Sequence, residues 1–362
     1  MIMQMLFFIT MTLVCNTQQL AQAKEKKGFF TTLKEAYNLY FHAANDVSWQ
    51  SELWGEKEKE HVLFGYQLRL EYIQMKDSAR SAHTTLYFHG WGDTKNSARL
   101  IKKYRSIIKE NLVTFNFSDA RPILGKLGQS SFGQLPDVFP ALYALNYTID
   151  TLGLESIDLF GVSRGCAVIV NLLALLNDNH LFAAHTKQLT AIGIGHKERQ
   201  KLLAAIQRGT IILDTPLRSM ALTPFPQWIA QTFTRYDNRL WQPENTVTLL
   251  KGLQVTTIVH FQHRDFIVSN KQEADFFYAL AQLNPQTTYL VMGNDGGHAH
   301  SHRALDKAMI TFHALQKRND RTLYAVINNK AQRIKNGELT LFAPHCQLTD
   351  VQHVCEAYHA VQ

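Results

Sequence analysis

The chain has 362 residues, of which 46% are hydrophobic and 19% charged, a composition typical of globular rather than disordered proteins. This length is enough for one large α/β domain with extensions, or for two smaller domains. The net charge is +7, but the basic residues concentrate only at 24–27 and 102–109. We interpret them as solvated helix faces, so no nucleic-acid partner is predicted.

The first 23 residues have the features of an export signal. Met5–Val14 is an apolar run of signal-peptide length, Ala21-Gln22-Ala23 resembles a cleavage site, and a polar stretch begins at Lys24. The run is too short to span a bilayer, so no stable membrane span is expected after processing. No basic residue precedes the run, and a short membrane-tethering or core segment is the alternative. The prediction is an exported protein, either periplasmic or secreted.

Four segments follow from composition and pattern: a signal peptide at 1–23, an N-terminal extension at 24–60, an α/β domain at 61–318 and a C-terminal tail at 319–362. The tail contains Cys346 and Cys355. A disulfide between them would suit an exported protein, although the sequence leaves that pairing open. His345 and His353 lie nearby, but no four-ligand set of familiar spacing is complete, so no metal site is predicted.

Strand-like and helix-like runs alternate along the domain after an antiparallel beginning. Apolar and polar residues alternate from Tyr66 to Tyr72, which predicts a half-exposed antiparallel strand or hairpin within 61–75. Alternating strands and helices then predict a mostly parallel central sheet flanked by helices, with an antiparallel edge. The further predicted strands are Thr84–Phe88, Leu112–Phe117, Ile157–Phe160, Thr210–Leu213, Val255–Phe261 and Thr287–Met292, the last of the sheet. The predicted helices are Lys95–Asn111, Phe139–Leu152, Cys166–Leu176 and Ser301–Lys317.

One connection, residues 216–252, is too long for a plain crossover between strands. It is rich in aromatic side chains, among them Phe225, Trp228, Phe233, Tyr236 and Trp241. A segment of this kind predicts a short lid-like insertion over a site. An ordinary crossover helix with a long loop is the alternative.

The segment 157–176 reads as strand, tight turn and buried helix around a G-x-S-x-G motif at 161–165. Ser163 would sit on a strained turn, and any side chain at Gly161 or Gly165 would collide with the neighbouring strand or helix. The N-terminus of the helix lies beneath the serine, where backbone N–H groups favour an oxyanion. Ser163 is therefore the predicted nucleophile. A glycine-rich turn with an incidental serine is the alternative.

A serine hydroxyl needs a general base, and the base needs a group that orients it. His298 lies in a glycine-rich loop after the last predicted strand and is the predicted base. Its neighbours His300 and His302 leave a metal-binding or simply solvated loop as alternatives. Asp265 directly follows the strand Val255–Phe261 and is the predicted orienting acid. Asp214, at the end of the preceding strand, is its main rival.

The predicted oxyanion hole has two backbone N–H donors. One belongs to Arg164, directly after the nucleophile, and the other to Trp91 in the loop that follows Thr84–Phe88. Glycines in this loop let the backbone turn inward, so Gly90 and the Trp91 indole are assigned to substrate binding. The Arg164 side chain is expected to form a structural ion pair rather than a substrate contact.

The motifs HGWGD at 89–93, GVSRG at 161–165, Asp265 in HRDFIV and His298 in GGHAH together resemble the serine hydrolases of the α/β-hydrolase superfamily. The resemblance covers about residues 60–318. It implies the α/β-hydrolase fold, with a mostly parallel sheet of about eight strands, an antiparallel edge and a site at the carboxyl ends of the strands.

On this reading, the chain cleaves an ester-like bond of a small-molecule acyl substrate through an acyl-enzyme intermediate, with no cofactor. A serine peptidase and a carbon–carbon or thioester hydrolase share the same chemistry and remain alternatives. A noncatalytic ligand-binding protein of the same fold and a metal-dependent hydrolase are alternatives of other classes. The sequence leaves the oligomeric state open.

Overall fold

The computed structural model describes residues 59–63, 66–73, 84–90, 111–115, 133–216, 241–262, 276, 279–280, 282–284, 288–293, 332–333 and 339–342. The predicted signal peptide at 1–23, the predicted helix Ser301–Lys317 and the cysteines of the tail lie outside these residues. So does the predicted helix Lys95–Asn111 except for Asn111, which begins a strand instead.

The described strands form one ten-stranded sheet in the order β1-β2-β4-β3-β5-β6-β7-β8-β10-β9. The six strands from β4 to β8 in this order are parallel, and the two at each edge are antiparallel. The prediction of a mostly parallel sheet with an antiparallel edge is confirmed. The strands are β1 Lys59–Leu63, β2 Tyr66–Ile73, β3 Thr84–Phe88, β4 Asn111–Phe115, β5 Asp158–Val162, β6 Thr210–Asp214, β7 Thr256–Gln262, β8 Thr288–Gly293, β9 Gln332–Arg333 and β10 Leu339–Phe342.

The front edge is a hairpin, as the alternating pattern predicts. Leu63 of β1 pairs with Tyr66 of β2, and β2 continues antiparallel to β4. Leu68, Leu70 and Tyr72 are all buried. The apolar set with period two therefore faces the core, which fixes the register of the strand.

The opposite edge differs from the prediction, because Thr287–Met292 is not the last strand. β10 pairs with β8 in an antiparallel register, and β9 pairs with β10. A four-residue run such as LTLF carries little periodicity by itself. Its pairing with the edge of β8 is a long-range contact that the local sequence does not show. The division of the chain at 318 remains a prediction, although part of the tail contributes to the sheet.

The described α-helices are α1 Leu135–Leu152, α2 Arg164–Asn177, α3 Asn179–Ala184, α4 Thr186–Ala191, α5 His196–Gln207 and α6 Pro243–Thr246. Helix α1 begins at Leu135, four residues before the predicted Phe139. Pro136 lies in its first turn, where the missing N–H costs nothing because it has no intrahelical acceptor. The predicted helix therefore started four residues too late.

Both faces of the sheet are buried, as expected for parallel strands. Leu159 of β5 and Leu213 of β6 belong to the hydrophobic core that also contains the apolar residues of α1, α2 and α5. Phe160 and Ile212, whose side chains alternate to the other face, are buried as well. The central strands therefore need their near-continuous apolar sequences. Among the described residues no helix is both long and apolar enough to cross a bilayer.

The end of the predicted lid-like insertion lies in the core. Trp241 is 1% exposed and packs in the core cluster with Val247 and Leu250. The side chain of Asn171 in α2 donates hydrogen bonds to the carbonyls of Gly133 and Trp241, at 2.6 and 2.8 Å. Residues 241–250 are thus part of the helical layer rather than of a lid. A lid formed by 217–240 stays a prediction, since these residues lie outside the described part.

Candidate active site

Ser163 lies between the end of β5 and the first residue of α2, at the carboxyl ends of the parallel strands. Its backbone has φ 51° and ψ −110°, a left-handed conformation that is unfavourable for a residue with a Cβ. Its side chain is 9% exposed and makes no capping hydrogen bond to the helix. The strained serine turn expected from the G-x-S-x-G motif is therefore present.

The two glycines of the motif are required by close approaches, as the sequence predicts. A Cβ on Gly165 would lie 2.1 Å from the carbonyl oxygen of Phe88 in β3. A Cβ on Gly161 would lie 2.7 Å from the carbonyl carbon of Gly165 in α2. Both distances involve backbone atoms, which cannot move aside as a flexible side chain could. The glycines let α2 start directly against the sheet and hold Ser163 at its edge.

The turn is tied to the neighbouring strand β6 by its backbone. The N–H of Ser163 donates to the carbonyl of Asp214 at 2.9 Å. The thiol of the buried Cys166 donates to the carbonyls of Gly161 and Asp214, at 3.2 and 3.3 Å. Ser163 and Cys166 thus fix the turn and the helix start to β5 and β6. This rigidity is what a preorganised nucleophile needs.

Arg164 is the first residue of α2, so its N–H belongs to the helix end that offers donors to an anion. Its guanidinium is buried and forms a bidentate pair with Asp137 of α1, with Nε–Oδ2 at 2.9 Å and Nη2–Oδ1 at 2.5 Å. The Asp137 carboxylate also accepts the N–H of Gly133 at 2.8 Å. The predicted structural ion pair of Arg164 is confirmed. It joins the residue after the nucleophile to the start of α1.

The loop after β3 lies beside the serine turn. A Cβ on Gly90 would be 3.7 Å from the Cβ of Ser163, so the Gly90 backbone is next to the nucleophile. His89 is fully buried, and its Nδ1–H donates to the Gly90 carbonyl at 2.8 Å. Trp91, the predicted second oxyanion donor, follows directly but lies outside the described residues.

Burial lowers the pKa of His89 to about 3, while the Gly90 carbonyl raises it and the positive charge of Arg164 lowers it further. The folded protein keeps this histidine neutral, whereas the unfolded chain binds a proton below about pH 6.5. We expect the free energy of unfolding to be unaffected by His89 above that pH. Between roughly pH 6.5 and pH 3, burial of His89 should lower the free energy of unfolding by up to about 1.4 kcal/mol per pH unit.

Urea unfolding of the wild type and of His89→Asn, between about pH 8 and pH 4, tests this dependence. The variant should show a shallower fall in stability with decreasing pH. The stability difference between the two proteins at pH 8 is the baseline, because His89 is neutral there in the folded and the unfolded protein. Equal slopes for the two proteins would contradict the burial effect.

The acid and the base of the predicted triad, Asp265 and His298, lie outside the described residues, so their assignment remains a prediction. The rival acid Asp214 lies in the described part of the chain, and its carboxylate pairs with a different histidine. The Nδ1–H of His260 in β7 donates to Asp214 Oδ1 at 2.6 Å, and both side chains are fully buried. This pairing weakens the case for Asp214 as the orienting acid.

Sequence reasoning missed two residues at this edge, His260 and Thr215. His260 interrupts the otherwise β-rich strand VTTIVHF, and a buried polar residue in such a run is a signal that could have been used. Thr215 directly follows Asp214 and has φ 50°. No local pattern in the sequence marks it.

Metal binding has no support among the described residues, where no group of three or more histidine, cysteine, aspartate or glutamate side chains could hold an ion. His298, His300 and His302, which prompted the metal alternative, lie outside this part of the chain. The structure therefore leaves that alternative untested.

No protein-family model matches the chain, and no curated protein matches it in sequence. Solved structures do match. A carboxylesterase of Lactobacillus plantarum has a TM-score of 0.51 at 15% identity, with 73% of this chain and 98% of that chain covered. A lipase/esterase of the same species has a TM-score of 0.51 at 16% identity, with the same coverage.

An esterase from the Planctomycetes species Thermogutta terrifontis, solved with propionate bound, has a TM-score of 0.50 at 14% identity, with 75% of this chain and 97% of that chain covered. At such low identity the likeness concerns the fold. The strand order, the serine turn after β5 and these structural matches agree, and the chain has the α/β-hydrolase fold.

Proposed function

We propose that this protein is a serine hydrolase that cleaves an ester-like acyl bond of a small molecule. The observation that carries the proposal is Ser163, held at φ 51° on a rigid turn between β5 and α2. A strained residue at the carboxyl edge of a parallel sheet is a cost to folding, and such costs concentrate at functional sites. The three solved structures of similar fold named above are described as esterases, which favours an ester over a peptide bond.

The proposed reaction has two acyl-transfer steps. Ser163 attacks the carbonyl carbon while His298 takes the hydroxyl proton, and Asp265 holds the imidazole in the required tautomer. The N–H groups of Arg164 and Trp91 stabilise the negative charge on the carbonyl oxygen. The bond between the carbonyl carbon and the alkoxy oxygen then breaks while His298 gives its proton to that oxygen, which leaves as the alcohol. Water, activated by the same histidine, then attacks the acyl-enzyme and regenerates Ser163.

The ion pair of Arg164 supports one part of this mechanism. Because its guanidinium is fixed by two hydrogen bonds to Asp137, the backbone of the residue that follows the nucleophile has little freedom. A donor that does not reorganise during the reaction stabilises developing charge most effectively. The location of the enzyme in this proposal is the periplasm or the exterior, after removal of residues 1–23.

Labelling with a fluorophosphonate serine probe tests the proposal. The native protein should be labelled and the heat-denatured protein should not, and peptide mass analysis should place the label on Ser163. Assays with p-nitrophenyl acetate, a peptide anilide and an acyl thioester would then separate esterase, peptidase and thioesterase activity. A folded protein that neither takes the label nor hydrolyses any of these substrates would overturn the proposal in favour of a noncatalytic binding protein.

A further inference from the structure

Two residues other than glycine have a positive φ in the described part of the chain, Ser163 at 51° and Thr215 at 50°. They occupy equivalent places on neighbouring strands. Val162 of β5 is the register partner of Asp214 of β6, and Ser163 and Thr215 are the residues that follow. Adjacent strands lie about 4.8 Å apart. The second strained turn is therefore next to the nucleophile at the same edge of the sheet.

The two turns are also joined by hydrogen bonds. Ser163 N–H donates to the Asp214 carbonyl at 2.9 Å, and Thr215 N–H donates to the carbonyl of His260 in β7 at 2.7 Å. This ladder continues past the ends of the strands and determines where the Thr215 Cα lies. The position of Thr215 is thus set by the same framework that holds Ser163.

Thr215 is a poor choice for folding on two independent counts. A β-branched residue in the left-handed region is a conformational outlier, whereas glycine would fit there without strain. Its hydroxyl is fully buried, and within the described part of the chain Oγ1 makes no hydrogen bond. A buried hydroxyl without a partner is unfavourable, and valine would fill the same volume without that cost. Such local conflicts beside a reactive group indicate a function for the hydroxyl.

The sheet order indicates which part of a substrate the hydroxyl would meet. β3, whose loop carries the proposed oxyanion donor Trp91, lies on one side of β5, while β6 lies on the other. β8, after which the proposed base His298 comes, is on the same side as β6. With the carbonyl oxygen directed toward β3, the alcohol side of the ester faces the strands from β6 onward.

We propose that the hydroxyl of Thr215 donates a hydrogen bond to the leaving alkoxy oxygen of the bound ester. This inference rests on the proposed function and adds a substrate-contacting residue to it. The hydrogen bond would strengthen as negative charge develops on the leaving oxygen, before His298 delivers the proton. Because Thr215 is fully buried without substrate, the bound ester displaces the groups that cover its hydroxyl and then supplies the hydrogen-bond partner that it lacks.

Kinetics of Thr215→Val test the proposal, with p-nitrophenyl acetate and phenyl acetate as substrates. We expect kcat/KM to fall by about 10- to 100-fold with phenyl acetate, whose phenolate is the poorer leaving group and needs more help. The loss with p-nitrophenyl acetate should be several-fold smaller. Thr215→Ser, which keeps the hydroxyl, should stay within a few-fold of the wild type. The melting temperature of Thr215→Val should equal or exceed that of the wild type.

Thr84→Val is a matched control. Thr84 Oγ1 is also buried without a partner within the described residues. However, Thr84 begins β3 at the amino ends of the parallel strands, away from Ser163. The activity of Thr84→Val should therefore equal that of the wild type. If Thr215→Val does not fold, Thr215→Gly removes the hydroxyl and the strain together and should show the same kinetic loss.

An unchanged rate for a folded variant that lacks the hydroxyl, or an equal loss with both esters, would overturn the inference while leaving the serine hydrolase intact. A wild-type protein without labelling or hydrolysis would overturn both.

Discussion

Replacing Ser163 with alanine is expected to lower kcat/KM for p-nitrophenyl acetate by about ten-thousand-fold or more and to abolish fluorophosphonate labelling. Without the hydroxyl no acyl-enzyme can form, and what remains comes from binding and from the oxyanion donors. The fold should persist, because the Ser163 side chain makes no capping hydrogen bond and alanine fits the space it leaves. Activity assays on protein checked by circular dichroism measure this effect.

The glycine variant separates catalysis from stability at the same position. Alanine at 163 keeps the strain of φ 51°, whereas glycine adopts that conformation freely. We expect Ser163→Gly to be inactive yet more stable than Ser163→Ala by about 1–2 kcal/mol, since strain relief exceeds the entropy lost by glycine on folding. Urea unfolding of the two variants gives the difference. Equal stabilities would contradict a strained turn, and an alanine variant with wild-type activity would place the nucleophile elsewhere.

The serine turn was predictable because everything that defines it is local. An apolar strand, a glycine on each side of Val162-Ser163-Arg164 and an apolar helix lie within twenty consecutive residues. The steric need for Gly161 and Gly165 follows from how closely a helix must start against its own strand. For the same reason the parallel strands β3 to β8 were found by their buried, apolar runs.

Contacts between distant segments were not predictable in this way. β10 is a strand because it meets the edge of β8. Trp241 is held in the core by a hydrogen bond that the side chain of Asn171 in α2, seventy residues earlier, donates to its carbonyl. The pairing of Asp214 with His260 requires the register of β6 against β7. None of these partners is marked in the local sequence, so length and aromatic content assigned Trp241 to a lid although it lies in the core.

The site was predicted in the same uneven manner. The prediction for Ser163 rests on a spaced motif. The sequence also predicted a structural ion pair for the Arg164 side chain, but it did not identify Asp137 as the partner. Thr215 shows why: its interest comes from a backbone angle and an unsatisfied hydroxyl, and neither quantity exists before the chain is folded. The roles of Asp265 and His298 remain predictions.

Breaking the buried ion pair between Asp137 and Arg164 should cost far more stability than breaking an exposed pair. Asp137→Ala leaves a guanidinium buried without its carboxylate and removes the acceptor of the Gly133 N–H. The expected loss is about 3–5 kcal/mol in the free energy of unfolding. Activity should fall as well, because Arg164 carries the proposed oxyanion donor.

The double variant Asp137→Leu, Arg164→Met shows whether the cost comes from an unpaired charge. Apolar residues of similar volume often replace a buried pair at little cost, so the double variant should recover much of the stability lost in Asp137→Ala. Asp150→Ala is the control, because Asp150 also links α1 to another helix through Lys201, but on the surface. It should change stability by less than about 1 kcal/mol.

Urea unfolding of the three variants measures these differences. If Asp137→Ala were as stable as Asp150→Ala, the buried pair would contribute no more than a solvated one, and the rigidity attributed to the serine turn would need another source. Recovery of stability without recovery of activity in the double variant would instead assign the pair a positioning role. The charges would then be retained to orient the backbone of Arg164, since apolar residues could hold the helices together equally well.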